Sequence, residues 1–439
     1  MTGSLFGTDG IRGLAGAFPL DESTLVKLGR VMGSLAARPR IAIGRDTRES
    51  GAAIEGQLAR GLAGKAEYFS CGIIPTPGLA FLTKKLGMDF GIMISASHNP
   101  YRDNGIKIFN RRGEKISAAL ERKISDQLKT TVRTASGRPV IHAIAQSPEY
   151  ADFLLLHGRG LPPGKTRIVM DCANGAASVA APALFRRLQL DVCVRHARPN
   201  GKNINAACGS TCPRTLKDLV LKEKAGLGMA FDGDADRVVF ADPEGHILTG
   251  DHALYVLALY LRRREPRFTG QVVGTVMANL GLEAALARRG IRLLRTGVGD
   301  SQVYRQMKKS GAILGGEPSG HIILGHVHTT GDGMLAALFF MKALDFFGWS
   351  GSDVRRQLPL FPQQIVNISI RHKKNLARWR ALVQAEKEFA GKYGRAARLL
   401  IRYSGTEPLI RVMMEAQDMG DIERQMPFFT SLIQNEIGV

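Results

Sequence analysis

The chain has 439 residues, 44% hydrophobic and 23% charged, with 50 glycines and a formal net charge of +21. That length is too great for one core and suggests about three domains of an ordinary folded globular protein. No apolar run reaches a membrane span, since 334–349 is broken by Lys342 and Asp345, and Asp9 and Arg12 interrupt the start where a signal peptide would be apolar, so a cytoplasmic chain without a membrane partner is expected.

In chain order, residues 6–13 (FGTDGIRG) put Arg12 in a Gly-rich turn. The rest repeats one theme: a short apolar strand, a Gly-rich turn, then a helix. Residues 40–44 read as a strand, followed by Arg45-Asp46-Thr47-Arg48 and a helix over 50–62. The strand 90–94 ends in Ser95-Ala96-Ser97-His98-Asn99-Pro100. The strand 167–171 leads through 173–177 into a helix, and 271–276 through 278–282 into a helix over 283–289. Strands alternating with helices predict α/β layers, in which function collects where strands end. The last segment differs: strands over 365–370, 399–403 and 410–415 with a helix over 376–389 predict a smaller α+β unit. Boundaries are expected near 147–148, 242–250 and 358–362, which gives domains over 1–147, 148–246, 247–358 and 359–439.

The five cysteines (Cys71, Cys172, Cys193, Cys208, Cys212) are scattered and odd in number, as reduced structural thiols are; the C-x₃-C of Cys208 and Cys212 has no second pair to make a zinc site. The basic clusters 262–264, 355–356 and 371–374 suit anionic partners such as sugar phosphates. They are short and lack interleaved aromatics, which favours solvated surface over nucleic-acid binding.

The densest chemistry lies in Asp232-Gly233-Asp234-Ala235-Asp236-Arg237, between the apolar runs 227–231 and 238–240. Three alternating carboxylates on a glycine-containing loop can turn oxygens onto one hard cation, and Mg²⁺ shared with a phosphate is the natural occupant. The alternative is a polar turn, but three aspartates between buried strands leave negative charge uncompensated unless a cation is bound. Ser97, at a strand end, suits a nucleophile or phosphate carrier, with His98 and Lys107 as sources of charge or protons; the alternative is a serine turn closed by Asn-Pro. In Gly315-Gly316-Glu317-Pro318-Ser319-Gly320-His321, Glu317 and Ser319 are spaced to bind vicinal sugar hydroxyls, or the segment is a plain loop. Ser404, Gly405 and Thr406 offer hydroxyls and backbone N–H groups to a phosphate, with Arg402 or Arg411 forking onto its oxygens, or they form a tight turn beside surface arginines.

Taken together, these parts resemble the α-D-phosphohexomutases, and among them the bacterial phosphoglucosamine mutases. The motifs that carry the likeness are FGTDGIRG (6–13), ISASHNP (94–100) with DNGIK (103–107), DGDADR (232–237), GEPSGH (316–321) and the segment 402–415, in family order along the whole chain. The resemblance implies an α/β fold with three related α/β domains and a smaller C-terminal α+β domain around a central active-site cleft. It implies Ser97 carried as phosphoserine, and Mg²⁺ held by Asp232, Asp234, Asp236 and a phosphoserine oxygen. Phosphoserine would donate to glucosamine 6-phosphate, giving a hexosamine 1,6-bisphosphate that reorients and returns its other phosphate. The product, glucosamine 1-phosphate, feeds amino-sugar nucleotide and cell-wall precursor synthesis. Arg237 and Lys107 would neutralise charge, Lys107 and His321 would act as acid and base, and Arg12 would support the phosphoserine. Glu317 and Ser319 would hold the sugar, and Arg402, Ser404, Gly405, Thr406 and Arg411 the phosphate that does not react. Reorientation needs opening and closing, expected at 358–362, and the likeness suggests a homodimer.

The chain departs from the family pattern at four places: Pro318 stands where Gln or Met is usual, Ser301 where Arg is usual, Tyr403 where Pro is usual, and 326–328 replaces a more acidic stretch. Pro318 removes a possible contact to a C2-amino group. The competing readings are a phosphoglucomutase/phosphomannomutase acting on neutral hexose phosphates, a phosphatase that leaks phosphoserine to water, and a basic binding protein on a disabled scaffold.

Overall fold

The computed structural model of the chain describes residues 5–7, 9–129, 141–144, 148–404 and 408–439. Among these, eighteen strands form four sheets. The first sheet holds β1 (Ile11–Leu14), β2 (Arg40–Arg45), β3 (Glu67–Ile73), β4 (Phe90–Ile94), β5 (Asp103–Asn110) and β6 (Ile141–Ala143), in the order β1-β5-β4-β2-β3-β6. The second holds β7 (Ile168–Asp171), β8 (Val192–Arg195), β9 (Leu227–Phe231), β10 (Val238–Ala241) and β11 (Ile247–Leu248), in the order β11-β10-β9-β7-β8. The third holds β12 (Gln271–Thr275), β13 (Arg292–Thr296), β14 (Leu314–Gly316) and β15 (Ile322–Leu324), in the order β13-β12-β14-β15. The fourth holds β16 (Gln363–Ser369), β17 (Ala397–Tyr403) and β18 (Leu409–Ala416), in the order β16-β18-β17.

Residue alternation decides which way each strand faces. In the first sheet Ile41, Ile43, Ile92, Ile94, Ile106 and Ile108 join one core with the helices Glu22–Met32 and Gly51–Leu62. Ala42, Met93 and Phe109 face the other way, onto the helix Thr76–Lys85. Both faces are therefore covered, as expected of α/β layers.

Each of the first three sheets combines parallel pairing with an antiparallel hairpin: β4–β5, β9–β10 and β14–β15. The fourth is antiparallel throughout and contains the hairpin β17–β18. The turns of these four hairpins carry the four chemical motifs. The strand–turn–helix theme holds after β2, β7 and β12, but after β4 the chain returns as a strand. Ile106, Ile108 and Phe109 are strand formers buried on both faces, and that burial overrides the repeat. The helix expected over 376–389 is a 3₁₀ turn Leu376–Arg378 followed by a helix Arg380–Tyr393. The break is Trp379, whose backbone is extended and whose side chain is buried in the local core.

By packing, the chain divides into two units. One comprises 1–277 with 290–357 and contains the first three sheets; the other comprises 278–289 with 358–439 and contains the fourth. In the second unit the helix Leu280–Arg288 is tied on by Asn279, which accepts from Phe361 N–H at 2.9 Å and donates to Phe361 O at 3.1 Å. Its core is built from Ile410, Val412 and Met414 of β18 with Leu382, Phe389, Phe429 and Ile433 of the two long helices.

Candidate active site

Ser97 lies in the turn after β4, fully buried, with φ +53°. A non-glycine residue holds this left-handed conformation only when its surroundings fix it. Its N–H donates to Ser95 Oγ at 2.8 Å, and its carbonyl accepts from Arg48 Nη2 at 2.8 Å and Asn205 Nδ2 at 2.9 Å. Arg48, with a wholly buried side chain, also donates to Asn99 O (2.9 Å), Asp103 O (3.0 Å) and Pro100 O, while its Nε pairs with Asp46 at 2.9 Å. Ser95 Oγ donates to the same carboxylate at 2.7 Å. The serine loop is thus a set of carbonyls gathered onto one buried guanidinium whose charge Asp46 balances. Arg12 approaches from the first turn, donating to Ala96 O at 3.1 Å and Asn99 Oδ1 at 3.2 Å, with Asp9 paired to its other nitrogen. Gly10 permits this: its φ is +84°, and a Cβ there would lie 2.2 Å from Ile106 O of β5.

Opposite the serine, Asp232, Asp234 and Asp236 are all buried, with oxygens within 4.8 Å of one another. Ser97 Oγ donates to Asp232 Oδ2 at 2.5 Å. Asp234 Oδ2 accepts from Thr76 Oγ1 at 2.5 Å and from Lys107 Nζ at 2.7 Å, and Lys107 also reaches Asp236 Oδ2 at 3.0 Å. Asp234 Oδ1 and Asp236 Oδ1 are buried and accept no hydrogen bond from the described residues. Burial, and then repulsion from Asp236 and Asp234, push the Asp232 carboxyl well above the usual range. Three buried carboxylates with two orphaned oxygens beside a hydroxyl form a donor set that fits a hard, oxygen-seeking cation.

Burial alone would lower the Lys107 pKa, but Asp234, Asp236 and Asp9 raise it well above the ordinary value, so this ammonium keeps its proton. Arg237 donates its N–H to Asp232 Oδ1 at 3.2 Å, and its guanidinium lies 3.1 Å from His98 Nδ1. His98 is pushed down to about 4 by burial, then by Arg237 and Arg12, and is neutral at physiological pH.

The turn between β14 and β15 is fastened to the aspartate loop. Gly320, at φ +92°, passes so close to β10 that a Cβ would sit 2.1 Å from Val238 O, and Gly320 O accepts from Val238 N–H at 3.1 Å. Glu317 is buried, and its Oε1 accepts from Gly299 N–H at 3.0 Å. Ser319 is exposed. His321 is buried; its Nε2 accepts from Gly331 N–H at 3.1 Å and its Nδ1 faces Asp236 at 3.6 Å. Burial would lower its pKa, but Asp236 and Asp300 outweigh that and raise it. Pro318 offers only a carbonyl, which accepts from Gly250 N–H at 2.9 Å. His328, one of the departures, is buried, 3.1 Å from Pro77 O through Nε2 and accepting from Thr329 N–H at 2.8 Å.

In the second unit Arg402 and Arg411 are directly opposite each other on β17 and β18. Burial and then Arg411 lower the Arg402 pKa, the mark of two like charges held side by side. Ser404 is buried at the strand end, its N–H bonded to Leu409 O at 2.8 Å. Gly405 and Thr406 lie outside the described residues. Tyr403, another departure, donates from its hydroxyl to Lys374 O and accepts from Lys374 N–H, both at 2.7 Å.

The first unit therefore brings Ser97, the three aspartates, Lys107, Arg12, Arg237 and His321 into one connected polar network, with Glu317 held by Gly299. The second sets Arg402, Arg411 and Ser404 at one end of a hairpin. Sequence reasoning had not singled out Asp9, Arg48, Asp46, Ser95, Asn205, Thr76, Lys115 or Asp300 as parts of the site. The Arg45-Asp46-Thr47-Arg48 run at the end of β2 was the one available signal: a paired Asp and Arg leaving a buried strand need a polar target.

Comparison with known proteins gives four family matches covering most of the chain. They are Phosphoglucomutase/phosphomannomutase alpha/beta/alpha domain I over 3–134, domain II over 149–245, domain III over 249–359 and the C-terminal domain over 365–431. The phosphoglucosamine mutase of Solibacter usitatus is 40% identical, with 100% of both chains covered. That of Moorella thermoacetica is 41% identical over 97% of this chain and 98% of its own. Among solved structures, a phosphoglucomutase/phosphomannomutase family protein from Burkholderia thailandensis aligns over 99% of both chains with a TM-score of 0.82 at 23% identity. An Aspergillus fumigatus N-acetylphosphoglucosamine mutase in complex with GlcNAc-6P and magnesium aligns over 95% of this chain and 93% of its own, with a TM-score of 0.69 at 16% identity.

Proposed function

Because this chain belongs to the phosphoglucosamine mutase family of phosphohexomutases, we propose that it interconverts glucosamine 6-phosphate and glucosamine 1-phosphate through a phosphoserine at Ser97. The observation that carries the reading is the buried Ser97 Oγ, 2.5 Å from Asp232 within a trio of aspartates. In the forward direction the P–Oγ bond of phosphoserine breaks as a P–O bond forms to the C1 hydroxyl, which gives its proton to a base while the freed Ser97 Oγ takes one up; the result is a hexosamine 1,6-bisphosphate. After reorientation the P–O6 bond breaks as phosphorus bonds again to Ser97 Oγ, whose proton leaves to a base, and the released O6 takes up a proton. Mg²⁺ held by Asp232, Asp234, Asp236 and a phosphoserine oxygen supplies charge neutralisation to the transferring group when bound.

The chain's own residues divide the remaining work. Arg48 and Arg12 fix the serine loop, so Ser97 is aimed before substrate arrives. Lys107 and Arg237 contribute permanent positive charge. Of the two roles expected for Lys107, charge neutralisation suits its geometry better than proton transfer, which leaves His321 as the proton carrier. Glu317 and Ser319 hold the sugar hydroxyls, and Arg402, Arg411, Ser404, Gly405 and Thr406 grip the phosphate that is not transferred. The four domains take the limits 1–147, 148–246, 247–358 and 359–439. The enzyme works in the cytoplasm on a small sugar phosphate, as a homodimer.

Pro318 favours a second reading, in which a neutral hexose phosphate is the preferred substrate, because its ring offers nothing to a C2-amino group. The test is isomerisation of glucosamine 6-phosphate, glucose 1-phosphate and mannose 1-phosphate with Mg²⁺ and a trace of bisphosphate. Preferred turnover of the amino sugar supports the proposal, preferred turnover of a neutral sugar replaces the substrate, and no turnover of any of them overturns it.

A further inference from the structure

The Lys115 ammonium joins two supports of the site which are far apart in sequence. It follows β5 and is held there by a bridge between its backbone and Phe109. Its side chain is only 17% exposed. Nζ pairs with Asp9 on one side and lies 2.6 Å from Asp300 Oδ2 on the other. Asp9 belongs to the turn that carries Arg12, and Arg12 grips the serine loop through Ala96 O and Asn99 Oδ1. Asp300 opens the helix Asp300–Ser310, and the residue before it, Gly299, donates to Glu317 of the sugar loop. Asp300 Oδ2 is also 3.7 Å from His321 Nε2, and Asp9 Oδ2 is 3.7 Å from Lys107 Nζ.

Contacts therefore close on themselves: Lys115, Asp300, His321, Asp236, Lys107, Asp9 and back to Lys115. Basic groups and carboxylates alternate around this ring, so each of the two ammoniums lies between carboxylates and the His321 imidazole lies between Asp300 and Asp236. Burial would lower the Lys115 pKa, but Asp300 and Asp9 hold it up at about 12, so the bridge stays charged across the working pH range. Lys107 touches the aspartate trio directly, whereas Lys115 contacts none of Ser97, Asp232, Asp234 or Asp236 and acts only through Asp9 and Asp300.

We infer that Lys115 is a positioning residue that sets the spacing between the serine loop and the sugar loop. The inference rests on the mutase reading above and deepens it. Phosphoryl transfer depends steeply on the alignment of donor and acceptor, and a misplacement of about 1 Å costs on the order of a hundredfold in rate. Loss of the bridge should thus act on the chemical step more than on binding.

The experiment is steady-state kinetics of the full chain with Mg²⁺, comparing wild type with Lys115→Met, Lys115→Arg, Asp300→Asn and the double variant Lys115→Met/Asp300→Asn, with thermal melts of each. Lys115→Met is expected to lower kcat roughly ten- to a hundredfold with KM within about threefold, and Lys115→Arg to recover most of the loss, since it keeps a buried cation between two carboxylates. The double variant should be no slower than the worse single one, because both break one link. Wild-type kcat in Lys115→Met, or additive losses in the double variant, would overturn the inference while leaving the mutase reading intact. A loss of melting temperature in Lys115→Met that fully accounts for lost activity, with no rescue by arginine, would also overturn it. Wild-type enzyme inactive on all three sugars would overturn both.

Discussion

The serine–aspartate network of the first unit and the arginine pair of the second solve two different electrostatic problems. In the first, Ser97, Asp232, Asp234, Asp236 and Lys107 are at most 4% exposed, and opposite charges interleave so that the trio of acids faces the Lys107 ammonium, the Arg237 guanidinium and a hydroxyl. In the second, Arg402 and Arg411 are half-buried, and like charges stand opposite each other across a ladder. A group that is transferred needs a dry and pre-aimed environment, where charge is worth most. A group that must be gripped, released and gripped again after the sugar turns is better served by a cationic site whose repulsion is relieved when an anion arrives. On the proposed reading, one reaction asks for rigidity in one place and reversible capture in the other.

The sharpest way to break the comparison is to remove the carrier. Ser97→Ala should lower turnover about a thousandfold or more, and the variant should carry no phosphate by intact mass, while its melt stays close to wild type. Next is Asp232→Asn. Burial, and then repulsion from Asp236 and Asp234, raises the Asp232 pKa, so the ionised group destabilises the fold without a cation. The variant should lose roughly a hundredfold in kcat yet melt at the same or a higher temperature than wild type in EDTA. Added Mg²⁺ should stabilise wild type and not the variant; equal stabilisation of both by Mg²⁺ would argue against the aspartate trio as the cation site.

The arginine pair predicts the opposite kinetic signature. Arg402→Met or Arg411→Met should raise KM about tenfold, in line with the loss of roughly 1.5 kcal/mol from a charge-assisted hydrogen bond, with kcat little changed. Inorganic phosphate should raise the melting temperature of wild type more than that of either variant. If kcat falls and KM does not, the two regions do not divide the work in this way.

The smallest effect is on stability against pH. Burial holds His328 down at about 4, against 6.5 in the unfolded chain. Its neutral form contributes stability that is present above about pH 6.5 and is lost as pH falls toward 4, to a limit of about 3 kcal/mol. Urea unfolding at pH 7, 5.5 and 4.5 should show a shallower decline for His328→Gln than for wild type.

The sequence alone determined the chemistry carriers and the layer type. Asp232, Asp234 and Asp236 alternate between two apolar runs, Ser97 ends a buried strand, and the strand–turn–helix pattern sets α/β layers; each of these is a local pattern of period, turn chemistry and charge, and such patterns are written in neighbouring residues. The three strands of the C-terminal unit were legible for the same reason, but its long helix Met419–Ile437 was not read, and the helix expected over 376–389 is interrupted at Trp379, where burial in the local core overrode helix periodicity. Only the tertiary structure decided that the motif turns are the turns of antiparallel hairpins, because the pairing of β4 with β5 depends on both faces of β5 being covered. It also decided which residues serve the motifs. Arg48 reaches Ser97 across 49 residues, Asn205 across 108, Thr76 reaches Asp234 across 158, and Lys115 lies between Asp9 and Asp300. Burying a charge or an unpaired carbonyl demands a partner, but which partner arrives is set by how sheets and helices pack, and no local pattern encodes that choice.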